Sequence, residues 1–250
     1  MTKELVIFAI LNLFTSTLSG AAGGGGGLVS TPFMVLLGLS PAQAIATAKF
    51  GGLGVSIGAS SRFFSEKITD KRTVIIFSIM GAIGAVVGSL TLVHFRDQTD
   101  LLQNLMGVVI LFVGVPLLYV RNAGLTTRQR PAWLKALGLP ILAFSVFMQA
   151  ALGAGSGSLQ MVIFIACFGM TALAASATRR AMQLTVASIS LAIFIISGLV
   201  DWKFGIVAFV TASIGGYLGA HIAIKRGNKF IINLFAIVSA LLALQLLFGK

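Results

Sequence analysis

The chain has 250 residues, of which 57% are apolar and 10% charged, and its mean hydropathy is +1.02. That balance excludes a soluble globular domain, which would need far more charge to cover its surface, and points to a polytopic membrane protein. The net charge of +12 does not indicate nucleic acid as a partner, because the cations fall in short clusters between apolar runs, as in cytoplasmic loops facing anionic headgroups.

In chain order, the first 22 residues have the outline of a signal peptide, with Lys3, an apolar stretch and small residues at Gly20-Ala21-Ala22. A counterpart in the second half makes it an expected part of the fold instead. The apolar segment 4–20 then meets Gly23-Gly24-Gly25-Gly26-Gly27, which cannot sustain a helix, since each glycine costs about 1 kcal/mol against alanine. A second apolar piece follows at 28–38, then helices at 41–63, 73–93 and 101–120. Residues 121–133, with Arg121, Arg128, Arg130 and Pro131, read as a solvated cytoplasmic linker. Beyond it the order repeats: 134–152, a Gly153-Ala154-Gly155-Ser156-Gly157-Ser158 break, 158–169, 171–198, 204–224 and 230–248. The single cysteine, Cys167, excludes an intrachain disulfide and reads as a small buried hydrophobe.

The halves align without a gap when the chain is slid by 131 positions, the separation of Gly38 and Gly169. Gly24 then meets Gly155, Gly26 meets Gly157, Thr47 meets Thr178, Lys49 meets Arg180 and Asp70 meets Asp201. Gly84 and Gly88 meet Gly215 and Gly219, a small-xxx-small packing face in both copies. The expected organisation is membrane repeat 1 over 1–120, the linker 121–133, and membrane repeat 2 over 134–250.

The short pieces 28–38 and 158–169 reach about 17 Å, roughly half of a ~30 Å hydrocarbon core. A folded-back hairpin suits that length better than one long helix. Each half then has an odd number of crossings, so the expected fold class is an all-α polytopic transmembrane bundle of two inverted repeats. Each repeat is a glycine-broken hairpin plus three spanning helices, about eight membrane segments in all. The positive-inside rule then puts Arg62, Lys67, Lys71, Arg72, Arg128 and Lys225 in the cytoplasm, with Lys3, Lys203, Lys250 and both termini in the periplasm. Parallel repeats would split the cations equally well, so the length of the short pieces is what favours inversion.

Lys49 and the pair Arg179 and Arg180 fall about 12–13 Å inside their helices, at membrane depth. An embedded cation costs at least about 2.5 kcal/mol and needs a partner. The acidic residues Glu4, Glu66, Asp70, Asp97, Asp100 and Asp201 all fall near span ends. Three readings follow: snorkelling to an interface, bonding to main-chain carbonyls, or a mobile anion as the missing partner. Free N–H groups at the glycine breaks would add to the attraction for an anion. The candidate binding set is therefore Gly24, Gly25, Gly26, Gly27, Thr47, Lys49, Gln149, Gly155, Ser156, Gly157, Ser158, Thr178, Arg179 and Arg180, with Ser30 and Gln160 as further neutral donors. His94 and His221 lie at span ends without metal-ligand companions, where solvation is the default. There is no phosphate-binding loop and no defensible nucleophile–base–orienter set, so no enzyme activity, metal or cofactor is expected.

The glycine loop, Thr31-Pro32, Leu37-Gly38-Leu39-Ser40-Pro41, Ala44 and Thr47 resemble the sulfite exporter TauE/SafE family of membrane permeases, as does the weaker repeat from Gly153 to Thr178 followed by Gly198-Leu199-Val200-Asp201-Trp202. The second copy has no proline at Ile163 or Ala172 where the first has Pro32 and Pro41. The resemblance covers almost the whole chain and implies a bacterial inner-membrane permease for sulfite, organosulfonates or related anions. The expected function is export of a small sulfur-containing or organic anion by alternating access, with H+ and Na+ both open as coupling ion and a homo-oligomer also open. An anion channel and a non-transporting membrane assembly subunit are the alternatives.

Overall fold

The computed structural model describes residues 2–23, 27–98, 102, 124–153 and 156–248. Among them the secondary structure is all helical: α1 (Thr2–Ala22), α2 (Gly27–Leu36), α3 (Pro41–Ser65), α4 (Lys71–His94), α5 (Ala132–Leu152), α6 (Ser156–Ala166), α7 (Ala172–Ile196) and α8 (Trp202–Phe248). The expected span 101–120, apart from Leu102, and the linker start 121–123 lie outside the described residues, as do the two terminal residues Gly249 and Lys250.

Local chemistry sets the boundaries. Ser40 caps α3 in a reciprocal capping box with Gln43, and Pro41 occupies the first turn, where its missing N–H costs nothing. Asp70 accepts from the Thr73 main chain at 2.9 Å and hydroxyl at 2.6 Å to start α4, and those bonds hold its carboxyl below the usual range. Thr171 does the same for α7 through the Ala174 N–H. The short helices end earlier than expected, α2 at Leu36 and α6 at Ala166, because Gly38 (φ 96°) and Gly169 (φ 70°) turn the chain left-handed. The spans expected at 204–224 and 230–248 are two helices: the run Trp202–Phe248 is broken at Gly227, whose φ of 71° and ψ of −170° are not helical.

Each broken pair is a hairpin. Phe8 of α1 stacks on Phe33 of α2, and Asn12 takes a hydrogen bond from Ser30, so α2 runs back along α1. In the second half Gln149 pairs with Gln160, while Gly138 lies against Cys167 and Phe168, which folds α6 back along α5. Cys167 is half-buried at that contact, not fully buried as expected.

Packing between the halves is exchanged. α1 lies along α8, and its counterpart α5 lies along α4. The glycine faces explain both seams: a Cβ at Gly88 would meet Ala150 Cβ at 2.8 Å, and one at Gly215 would meet Leu13 O at 2.7 Å. Only hydrogen at these positions lets the backbones approach so closely. α3 runs beside α8 in the same direction, with Gly51 against Ala208 and, near its end, Arg62 Nε donating to His221 Nδ1 at 3.2 Å. That bond replaces the solvation expected for His221.

Five described helices are long and apolar enough to cross a membrane: α1, α4, α5, α7 and the first 33 residues of α8. The outer faces agree with a lipid surround. On α4 the outward residues are Ile75, Ile79, Ile83, Val86, Val87 and Leu90, whereas the inward ones include Gly81, Gly84, Ala85 and Gly88. Large side chains outside and small ones inside invert the soluble pattern. The chain is a multi-pass membrane protein.

Candidate functional site

α3 and α7 are the central helices, each with fifteen buried residues among its 25. Alanine and glycine make up seven of the fifteen on α3, and alanine five of the fifteen on α7, which brings the neighbouring helices close. Lys49 and Arg180 sit nine residues into their helices, and Lys49, Arg179 and Arg180 are 5%, 3% and 3% exposed. Snorkelling is thereby excluded for all three.

Their partners are main-chain carbonyls, and the pairing crosses between halves. Lys49 Nζ donates to Gln149 O at 2.7 Å, in the last turn of α5. Arg180 donates to Ser19 O and, at 2.7 Å, to Ser19 Oγ in the last turn of α1, and Arg179 donates to Gly23 O just beyond it. Arg179 Nε also donates to Gln160 Oε1 at 2.9 Å, and Gln160 Nε2 donates to Gln149 Oε1 at 3.0 Å. Helix C-termini expose unpaired carbonyls and carry about half a negative charge, so each is a natural seat for a cation. Each half thus caps the broken helix of the other. Gly23 (φ 76°) and Gly153 (φ 72°) make those helix ends possible by turning left-handed. Of the three readings for the embedded cations, bonding to main-chain carbonyls is the one observed.

The three cations share a cavity of about 80 Å³, lined also by Asn12, Ser16, Ser19, Ser30, Gln149, Gly153, Gly157 and Gln183. Among the described residues no carboxylate lines it. Gly157, in the first turn of α6, lies so close to the Arg179 guanidinium that a Cβ there would collide with it. Of the sequence candidates, Lys49, Gln149, Gly157, Arg179 and Arg180 converge on this cavity. Thr47 does not line it; its hydroxyl accepts from the Asp201 N–H at 3.0 Å and holds the turn into α8. Thr178 is buried but lines no part of the cavity. Gly24, Gly25, Gly26 and Gly155 lie outside the described residues; Gly27 and Ser156 begin α2 and α6, with Ser158 in the first turn of α6.

Sequence reasoning missed Asn12, Ser16, Ser19 and Gln183. The first three recur at helical spacing along the largely apolar α1, a polar stripe that signals a buried face. Gln183 carries the same signal one turn after Arg180. None of the four has a polar counterpart in a register of 131, the Gly38-to-Gly169 separation, so a search by repeat passes over them.

The profile described as Sulfite exporter TauE/SafE matches residues 8–246. A "Probable membrane transporter protein YfcA" of Escherichia coli K12 is 28% identical over 244 residues, covering 95% of this chain and 88% of the relative. A "Probable membrane transporter protein" of Haemophilus influenzae is 25% identical, covering 95% and 92%. YunE of Bacillus subtilis, also named a probable membrane transporter, is 22% identical and covers 98% of both chains. No solved structure gives a significant match.

Proposed function

The chain belongs to the sulfite exporter TauE/SafE family, and from that premise we propose that it carries a small sulfur-containing or organic oxyanion, sulfite or an organosulfonate, out across the bacterial inner membrane by alternating access. The observation that carries this reading is the meeting of Lys49, Arg179 and Arg180 in one buried cavity that no described carboxylate lines. A cavity of that charge is costly while empty and compensated when an anion enters.

Two inverted repeats fit the exchange of packing partners. α1, α3 and α8 run in one direction, and α4 runs with α5. If α3 and α4, joined by only five residues, are antiparallel, the first helices of the two halves point in opposite directions. Both termini are then periplasmic if each half makes an odd number of crossings. The crossed capping supplies a route to alternating access. An anion competes with the Gln149, Ser19 and Gly23 carbonyls for the same cations, so loading loosens each half's hold on the other. Export has the favourable direction for an anion at a negative-inside potential, by about 2.3 kcal/mol per charge per 100 mV.

The test is uptake and efflux by proteoliposomes with labelled sulfite, taurine, sulfoacetate and small carboxylates, beside melting temperatures in the same panel. Saturable flux of at least one anion, with a matching thermal shift, is expected. Flux at channel rates without saturation would replace the carrier by a channel, and no flux or shift with any anion would overturn the reading.

A further inference from the structure

Two buried side-chain atoms, one on Arg180 and one on Gln183, take no part in the contacts that hold the halves together. Gln183 follows Arg180 by three residues on α7 and so shares its face. It is 3% exposed, lines the cavity, and its Oε1 has no hydrogen-bond partner. Arg180 Nε is likewise buried and unpartnered. Several of the surrounding polar groups are committed elsewhere. The Asn12 amide donates to Ala208 O at 3.1 Å and Thr211 Oγ1 at 2.8 Å, Ser19 accepts from Arg180, and Gln149 and Gln160 bond to each other. Buried polar atoms are nearly always satisfied by protein, water or a ligand. Here the residues that carry an unused donor and an unused acceptor lie one turn apart, and both line a cavity of about 80 Å³, room for a ligand of a few heavy atoms.

We propose that Arg180 Nε and Gln183 Oε1 form a two-point subsite that selects an oxyanion carrying its own hydrogen-bond donor. The inference rests on the anion-carrier reading. The Nε–H donates to an anionic oxygen, and Oε1 accepts from an O–H or N–H of the same molecule. A bare oxyanion lacking that donor would set its lone pairs against those of Oε1 and leave the amide oxygen unsatisfied. Gln183 is neutral, so it adds selectivity without altering the charge that draws the anion in.

The probes are hydroxymethanesulfonate and ethanesulfonate, which match in charge and heavy-atom number and differ in one hydroxyl donor. Their affinities are measured by calorimetry on the full purified chain, wild type against Gln183→Met, with Gln183→Leu as a second apolar variant and ligand-free melting as the fold control. Wild type is expected to bind the hydroxyl-bearing anion about tenfold more tightly, one satisfied hydrogen bond in a buried site. In either apolar variant the ratio should fall to about one. Gln183→Glu should weaken both anions, because a carboxylate beside Arg180 would take the anion's place. Equal binding of the two probes by wild type, or a preference that survives in a folded apolar variant, would overturn the subsite and leave the carrier standing. Absence of binding by both anions, together with no response to any anion in the wider panel, would overturn both.

Discussion

Replacing Lys49 by Gln separates an anion site from an internal clamp. The substitution removes the 2.7 Å bond to Gln149 O. A hydrogen bond to a charged group is worth about 1.5–3 kcal/mol, while an embedded cation costs at least about 2.5 kcal/mol. In the empty protein these cancel to within about 1 kcal/mol, so melting should move by only about 2–4 °C in a chain of this size. Gln149 O keeps one partner, the Gly153 N–H at 3.1 Å, and is not orphaned. Anion binding has no such compensation. Losing a charged contact should weaken it by about 1.5–3 kcal/mol, roughly 10–150-fold. Thermal shift with and without the best anion, for wild type and variant, reads both quantities at once. A fall of more than about 10 °C in the empty protein with an undiminished anion response would refute the argument, because Lys49 would then act only by fastening α3 to α5.

Gly88→Leu should lower stability by about 1–3 kcal/mol or more, because a side chain there meets Ala150 Cβ at 2.8 Å and forces α4 from α5; denaturation midpoints check it. Gly157→Leu should abolish flux while leaving a folded, inserted protein, since the new side chain takes the place of the Arg179 guanidinium; unchanged flux would make the α5–α6 break a mere linker. Thr47→Val should cost about 1 kcal/mol of stability and leave anion affinity intact, because its hydroxyl serves only the Asp201 N–H. Single cysteines at positions 203 and 225 in a Cys167→Ala background should label from opposite sides of the membrane; labelling from one side would break the proposed topology.

The sequence alone determined the elements whose causes are local. The glycine run stops α1, Ser40-Pro41 starts α3, and alternation of large apolar with small residues marks each face of α4. The repeat was legible for the same reason, because Gly84 and Gly88 recur as Gly215 and Gly219 and perform the same close packing in each half. That Lys49, Arg179 and Arg180 are embedded also followed from position, since distance from a capped helix start translates directly into depth. Tertiary structure decided what those cations touch. Arg180 reaches Ser19 across 161 positions and Lys49 reaches Gln149 across 100, contacts that no local propensity encodes. It also separated Thr47 from the cavity and brought Gln183 into it. Pattern fixes which face of a helix is buried, but only the packing of α1, α3, α5 and α7 fixes which buried atoms meet. A carbonyl at a helix end has no sequence signature as a cation's partner, because every residue supplies the same carbonyl.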